Sequence, residues 1–282
     1  EYFCDGLTEE ILNVLAKQKE LKVTSRTSSF SYKDKRPSMR QVADDLGVEN
    51  VLEGSVRKSG ERLRITAQLI RSADGFHLWT ETYDRTLDDI FDLQDEMAST
   101  ILTELLDRIV KVDTSDDTSI SKNRDAYNLY LEAITFWNQR EKDSFLKAIK
   151  LLEEALEIDK NFSLAYCLLA ECHWMYSTWY MTKDDPGQEE NKKIARDYLK
   201  TAEDLGESSA EFYTAKALMV EFFQINEALD FLKTAVEVNP NYATAYHRIA
   251  GTYHEKGNMP EAIKHIEHAI SLDPNSPIIQ FT

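Results

Sequence analysis

The chain has 282 residues, with 33 Lys and Arg against 50 Asp and Glu, for a net charge of −17. That length suffices for two domains with substantial cores. The acidity argues against a nucleic-acid phosphate backbone as partner, because such binding needs clustered cations. The charge is uneven: residues 1–112 carry −5 and residues 113–282 carry −12. The second half should therefore attract basic partners more than anionic ones. No apolar run is long enough to predict a membrane span, and no signal peptide is legible at the start. Three cysteines, Cys4, Cys167 and Cys172, suggest no disulfide framework. The chain opens at Glu1 and stops at Thr282 shortly after a repeat ends, which reads as a fragment of something longer.

Asp5 is placed to cap a first helix from about Leu7 to Lys17, with Ile11, Leu12 and Leu15 on its apolar face. Leu21 to Arg26 then reads as a short strand, and Thr27 to Lys35 as a polar loop. Ser38 should cap a second helix that Gly47 ends. Three strands are expected at Val48–Lys58, Arg62–Ser72 and Phe76–Tyr83, joined by the turn dipeptides Ser59-Gly60 and Asp74-Gly75 into an antiparallel meander. Leu63, Ile65, Ala67 and Leu69 alternate with polar residues, as a half-buried strand requires. A long helix is expected from about Leu87 to Val110. Its early Asp88, Asp89, Asp92, Asp95 and Glu96 suit the helix dipole without calcium. Residues 113–122, rich in Asp, Ser and Thr, read as a linker.

The stretches that carry a resemblance run through this half. They are Glu1-Tyr2-Phe3 with Asp5-Gly6-Leu7-Thr8-Glu9, Thr27-Ser28-Ser29-Phe30, and Leu52-Glu53-Gly54-Ser55-Val56-Arg57. They continue with Arg64 to Ile70, His77-Leu78-Trp79-Thr80-Glu81, Tyr83-Asp84-Arg85 and Asp89 to Glu96. Over residues 1–112 the chain resembles the TolB-like N-terminal domain of bacteria, related to the envelope proteins FlgO and CsgG. The resemblance implies a mixed α/β domain whose first apolar strand would lie just before Glu1. It also implies an attached signalling domain, commonly a class III nucleotide cyclase or a winged-helix transcriptional regulator, often with a membrane helix between.

From residue 123 the pattern changes. Tyr246, Ile249, Ala250, Tyr253, Ala262, Ile266 and Pro274 follow the spacing of a tetratricopeptide repeat. One period of 34 residues earlier lie Phe212, Ala215, Lys216, Met219, Ala228, Leu232 and Pro240. Lys216 alone breaks the match, at a position that prefers a small residue. Four repeats are expected, at 123–160, 163–207, 209–240 and 243–274. About thirteen extra residues fall around Thr182–Gln188. The fold class is thus α/β followed by an all-α repeat solenoid, whose groove would be lined by the first helix of each repeat.

Carried over by position, the lining candidates are Tyr127, Tyr130, Ile134 and Trp137 in the first repeat and Cys167, Glu171 and Trp174 in the second. Tyr213, Ala217 and Val220 follow in the third, and His247, Gly251 and His254 in the fourth. None matches the carboxylate clamp known in the family. The set is aromatic and neutral to acidic, which suits an apolar or basic protein segment. The same aromatics could instead pack between helices. The run His173-Trp174-Met175-Tyr176 with Trp179-Tyr180-Met181 reads as packing for the extra residues, or as a small-molecule pocket. His247 with His254 and His265 with His268 lack a completing ligand, so no metal is expected, and no cofactor or catalytic constellation is readable. The expected role is non-catalytic protein recognition controlling an attached output, with an envelope scaffold or a small-molecule sensor as alternatives. Homodimerisation stays open, as does the compartment: extracytoplasmic in a membrane-tethered protein, or cytoplasmic.

Overall fold

The structure is a computed structural model that describes residues 2–18, 21–33, 35, 37–60, 62–86, 98–101, 103, 121, 123–220 and 224–280. Its contacts divide the chain into one unit of residues 1–114 with 267–282 and a second of residues 115–266.

The first unit begins with α1 (Tyr2–Ala16). The helix starts earlier than the sequence suggests, so Asp5 lies in its first turn rather than capping it. The amino-terminal end of a helix favours a carboxylate there, and Asp5 also takes the Lys33 ammonium at 2.8 Å. Residues 21–25 do not form the expected strand. Leu21 and Val23 pack beside Leu15, while the Ser25 amide donates to the Leu272 carbonyl at 2.9 Å. The Ser25 hydroxyl accepts from the Ser28 amide and caps a short helix, α2 (Arg26–Phe30), where a loop was expected. The cause is local: a serine followed three residues on by a free amide competes with strand pairing.

Ser38 and Gly47 bound α3 (Met39–Leu46) as their residue types predict; Gly47 takes φ +62, the left-handed stop of a helix. Next come β1 (Asn50–Ser59), β2 (Arg62–Arg71) and β3 (Phe76–Thr86) in an antiparallel sheet of order β1-β2-β3. Val56 stands opposite Ile65, and Ile65 opposite Tyr83. Leu63, Ile65 and Tyr83 bury their side chains with Leu7 of α1, and Ile11 and Val56 close the edges. On the opposite face Arg64 and Asp84 pair at 2.7 Å in solvent. An irregularity between Leu69 and Ile70 lets both be buried. Of the long helix expected at 87–110, residues 98–101 and 103 are described and helical, with Ala98 and Ile101 buried. The rest of that helix and nearly all of the expected linker lie outside the described residues. Residues 267–282 contribute Asp273, which accepts from the Ser28 hydroxyl at 2.7 Å, and Asn275, whose amide donates to the same oxygen at 3.0 Å.

The second unit is built from antiparallel helix pairs: α4 (Arg124–Gln139) with α5 (Lys142–Ile158), α6 (Ser163–Tyr180) with α7 (Pro186–Asp204), and α8 (Ala210–Leu218) with α9 (Ile225–Val238). Then α10 (Ala243–Glu255) meets the start of α11 (Met259–Leu272) through His265, stacked on Tyr246 and Tyr253. The chain closes with α12 (Pro277–Gln280), in the first unit. Fully buried alanines, among them Ala133, Ala148, Ala170, Ala195, Ala215 and Ala235, let the backbones approach, and Phe145, Leu152, Leu169 and Leu232 fill the layers between. Residues 182–188 do not bulge outward as a long loop. Two extended helices absorb the extra length: α6 has 18 residues and α7 has 19, with Asp185 capping α7 at the join by accepting from the Gly187 amide. Gln188 ties it down by donating to the Ser177 and Met181 carbonyls. Among the described residues no helix is long and apolar enough to cross a membrane.

Candidate partner-binding groove

The first helices of successive pairs touch one another, α4 with α6, α6 with α8 and α8 with α10. These helices carry the positions taken over from the repeat pattern. Burial divides them. Tyr127, Tyr130, Trp137, Cys167 and Glu171 are buried, and Ala217 with them. Tyr127 and Tyr130 stack on each other and meet Phe162 with tilted rings, and Cys167 sits among Ala170, Phe212 and Ala215. These side chains pack the helices together and offer a partner little surface. Ile134, Trp174, Tyr213, Val220 and His247 are half-buried, and His254 is exposed. The aromatic run of α6 is spent mainly on packing: Tyr180 and Trp179 meet Phe145, His173 bonds Asn191 at 2.9 Å, and Trp179 stays half exposed.

Two arginines that the sequence reading did not single out stand among the lining positions. Arg140 closes α4 in the left-handed conformation, φ +56. Its carbonyl accepts from the Tyr180 hydroxyl at 2.6 Å, and its guanidinium lies 3.5 Å above the Trp137 ring. Arg248, on α10, donates to Glu171 of α6 at 2.9 Å, with side chains 14% and 7% exposed. A helix-periodicity reading overlooks Arg140 because it falls after the helix ends. The nearest signal was the break in spacing between the first two helices.

The electrostatics follow from burial. Desolvation, with the neighbouring Arg248 charge, lowers the Arg140 pKa to about 10, which leaves it charged at neutral pH. Desolvation and the Arg248 and Arg140 charges push His247 down to about 4, so it is neutral at pH 7. Burial raises the Cys167 and Cys172 thiols, and both are free and inert as thiolates. Arg140 and Arg248 thus stand as two positive charges beside the Glu171 carboxylate.

Comparison with known proteins agrees with the repeat architecture. Residues 220–280 match the tetratricopeptide repeat family. The chain is 41% identical over 170 residues to "Putative adenylate cyclase 3" of Rhizobium meliloti (strain 1021), covering 60% of this chain and 29% of that protein. It is 25% identical over 163 residues to "DnaJ homolog subfamily C member 7 homolog" of Dictyostelium discoideum, covering 56% and 30%. The chain thus spans about a third of the length of the curated relatives it matches. Among solved structures, MamA aligns with a TM-score of 0.32 at 25% identity, over 49% of this chain and 74% of that one.

Proposed function

We propose that this chain is the non-catalytic recognition and regulatory portion of a bacterial signalling protein whose output is a nucleotide cyclase. The 41% identity to a protein named as an adenylate cyclase carries this reading. The relative extends well beyond the shared segment, which leaves room for an output domain outside it. The repeat face supplies the recognition chemistry: half-buried Trp174, Tyr213 and Val220 offer apolar contact, and His247 and His254 offer hydrogen bonds. The TolB-like character of residues 1–112 is part of the same reading.

The test is a full-length protein carrying Trp174→Ala, Tyr213→Ala and His254→Ala, checked for native circular dichroism. Cyclase activity in the cell and the set of captured proteins are compared with wild type. Loss of one captured partner together with altered cyclase output supports the reading. Unchanged capture and unchanged output would remove recognition from this face.

A further inference from the structure

The turn that leaves α11 repeats the turns that lead into α6 and α10. Before α6 the Asp159 amide donates to the Ala155 carbonyl at 2.9 Å and the Phe162 amide to the Asp159 carbonyl at 3.3 Å. Before α10 the Asn239 amide donates to Ala235 at 2.9 Å and the Tyr242 amide to Asn239 at 3.2 Å. After α11 the Asp273 amide donates to Ala269 at 2.9 Å and the Ser276 amide to Asp273 at 3.2 Å. α12 then opens at Pro277, one full period after α10 opens at Ala243.

α11 itself carries a second sign. Ala262, Ile263, Ile266 and Ala269 keep the spacing of Ala148, Ile149, Leu152 and Ala155 on α5 and of Ala228, Leu229, Leu232 and Ala235 on α9. On α5 and α9 the large residues are buried, and Leu229 and Leu232 cluster with Ile249 of the following helix, α10. Phe145, four residues before Ile149, is buried against Trp179 and Tyr180 of α6. On α11 the same positions lack that cover: Ile263 is 50% exposed where Leu229 is 4%, Met259 in the place of Phe145 is 48% exposed, and Ile266 is half-buried. α7 exposes its residue at the Ile263 position too, but that residue is Arg196. Where this array leaves the position in water it has a charge, and where a helix covers it an aliphatic side chain; Ile263 has the side chain of a covered site. Met259, Ile263 and Ile266, spaced by four and then three, form one apolar stripe rather than scattered exposures.

We propose that α12 is the first turn of a fifth repeat's first helix, and that this helix runs on past Thr282 and covers Met259, Ile263 and Ile266. On α10 the side chains that meet the Leu229 cluster include Ile249 and Tyr253. One period later these positions fall just past Thr282, so the covering side chains lie in the chain that follows: an aliphatic residue in the place of Ile249 and a large apolar one in the place of Tyr253. Closing that helix over the stripe removes apolar surface from water, which drives the docking. α11 is then an interior helix of a longer array, and the polar-faced helix that such arrays need as a cap comes later in the chain.

The assignment goes beyond the recognition reading and stands without it. Thiol labelling tests it, in the full-length protein and in the 282-residue chain. Cys4, which is exposed, is changed to serine, while the buried Cys167 and Cys172 stay. Single cysteines are then introduced as Ile263→Cys, as Arg196→Cys for an open reference and as Leu229→Cys for a covered one. In the 282-residue chain Ile263→Cys should react with a small maleimide about as fast as Arg196→Cys. In the full-length protein it should react at least about tenfold more slowly, toward the Leu229→Cys rate, because labelling then requires local opening. A proline placed one period after Tyr253 breaks the proposed helix and should restore fast labelling of Ile263→Cys, while slow labelling of Leu229→Cys confirms that the rest of the array stays folded. Equally fast labelling in both proteins would overturn the proposal, as would an encoded chain that stops at Thr282. Slow labelling in the 282-residue chain that depends on protein concentration would give the stripe to a second copy instead. Slow labelling that survives the proline would give it to another part of the protein. Either result overturns the fifth repeat as its cover.

Discussion

The Arg248 guanidinium donates to Glu171 at 2.9 Å across 77 residues of chain, joining α10 to α6. Both side chains are largely shielded from water, so the pair is sensitive to how it is broken. Removing one partner leaves the other charged in a poorly solvated place. Arg248→Ala should destabilise the chain by about 3 kcal/mol, while the double replacement Arg248→Met with Glu171→Met should cost under about 1 kcal/mol. Urea denaturation of the three proteins measures both values. A double variant as unstable as the single would show that the pair contributes more than charge balance.

The small residues at helix crossings make a separate expectation. Ala250 is 4% exposed on α10. Leucine there must push α10 from its neighbours, and Ala250→Leu should lose about 1–3 kcal/mol. An unchanged denaturation midpoint would mean the contact has slack that the packing does not suggest.

Lys216 broke the repeat pattern in the sequence, and the structure supplies the reason. Its ammonium reaches Glu203 at 2.8 Å and lies over the Phe212 and Phe231 rings at 5.1 and 5.2 Å. The side chain snorkels from a semi-buried position instead of filling it. Because the ion pair is partly exposed, Lys216→Ala should change stability by less than about 1 kcal/mol. A larger loss in thermal unfolding would assign the position a structural weight the pair alone cannot supply.

These residues show where sequence sufficed. Alternation in Leu63–Leu69, the Gly60 and Gly75 turns and the alanine spacing in the helices each reflect a local rule with one outcome, and the sheet and helix pairs follow them. Ser25 was misread because a capping serine and a strand start share a composition. The local Ser25–Ser28 cap is joined by a bond that no local rule shows, from the Ser25 amide to the Leu272 carbonyl 247 positions later in the chain. The exposure of the expected lining positions was not legible. Tyr127, Cys167 and Glu171 occupy lining positions yet are buried, because neighbouring helices close over them. Arg140 was invisible to periodicity because a residue past a helix end has no phase.

Gly47 offers a cleaner backbone test. At φ +62 it has no neighbour within 4 Å of where a Cβ would stand. Sterics with other residues are therefore absent, and only the left-handed strain of an L-residue remains. Gly47→Ala should cost about 1 kcal/mol. A cost well above that in chemical denaturation would point to a role for Gly47 beyond ending α3.

His247 sets a pH dependence whose sign follows from its burial. Desolvation, then Arg248 and Arg140, lower its pKa from 6.5 to about 4. Between those values the unfolded chain binds the proton and the folded chain does not. Its contribution is thus complete above pH 6.5, declines as pH falls, and is gone by about pH 4. The slope cannot exceed about 1.4 kcal/mol per pH unit, and partial solvent exposure makes it smaller. Urea midpoints at pH 7 and pH 5 for wild type and His247→Gln isolate the effect from the many carboxylates that titrate in the same range. Wild type should lose more stability on acidification than the variant. Equal losses would mean that His247 is protonated in the folded chain as readily as in the unfolded one, and that the Arg140 and Arg248 charges do not bear on it.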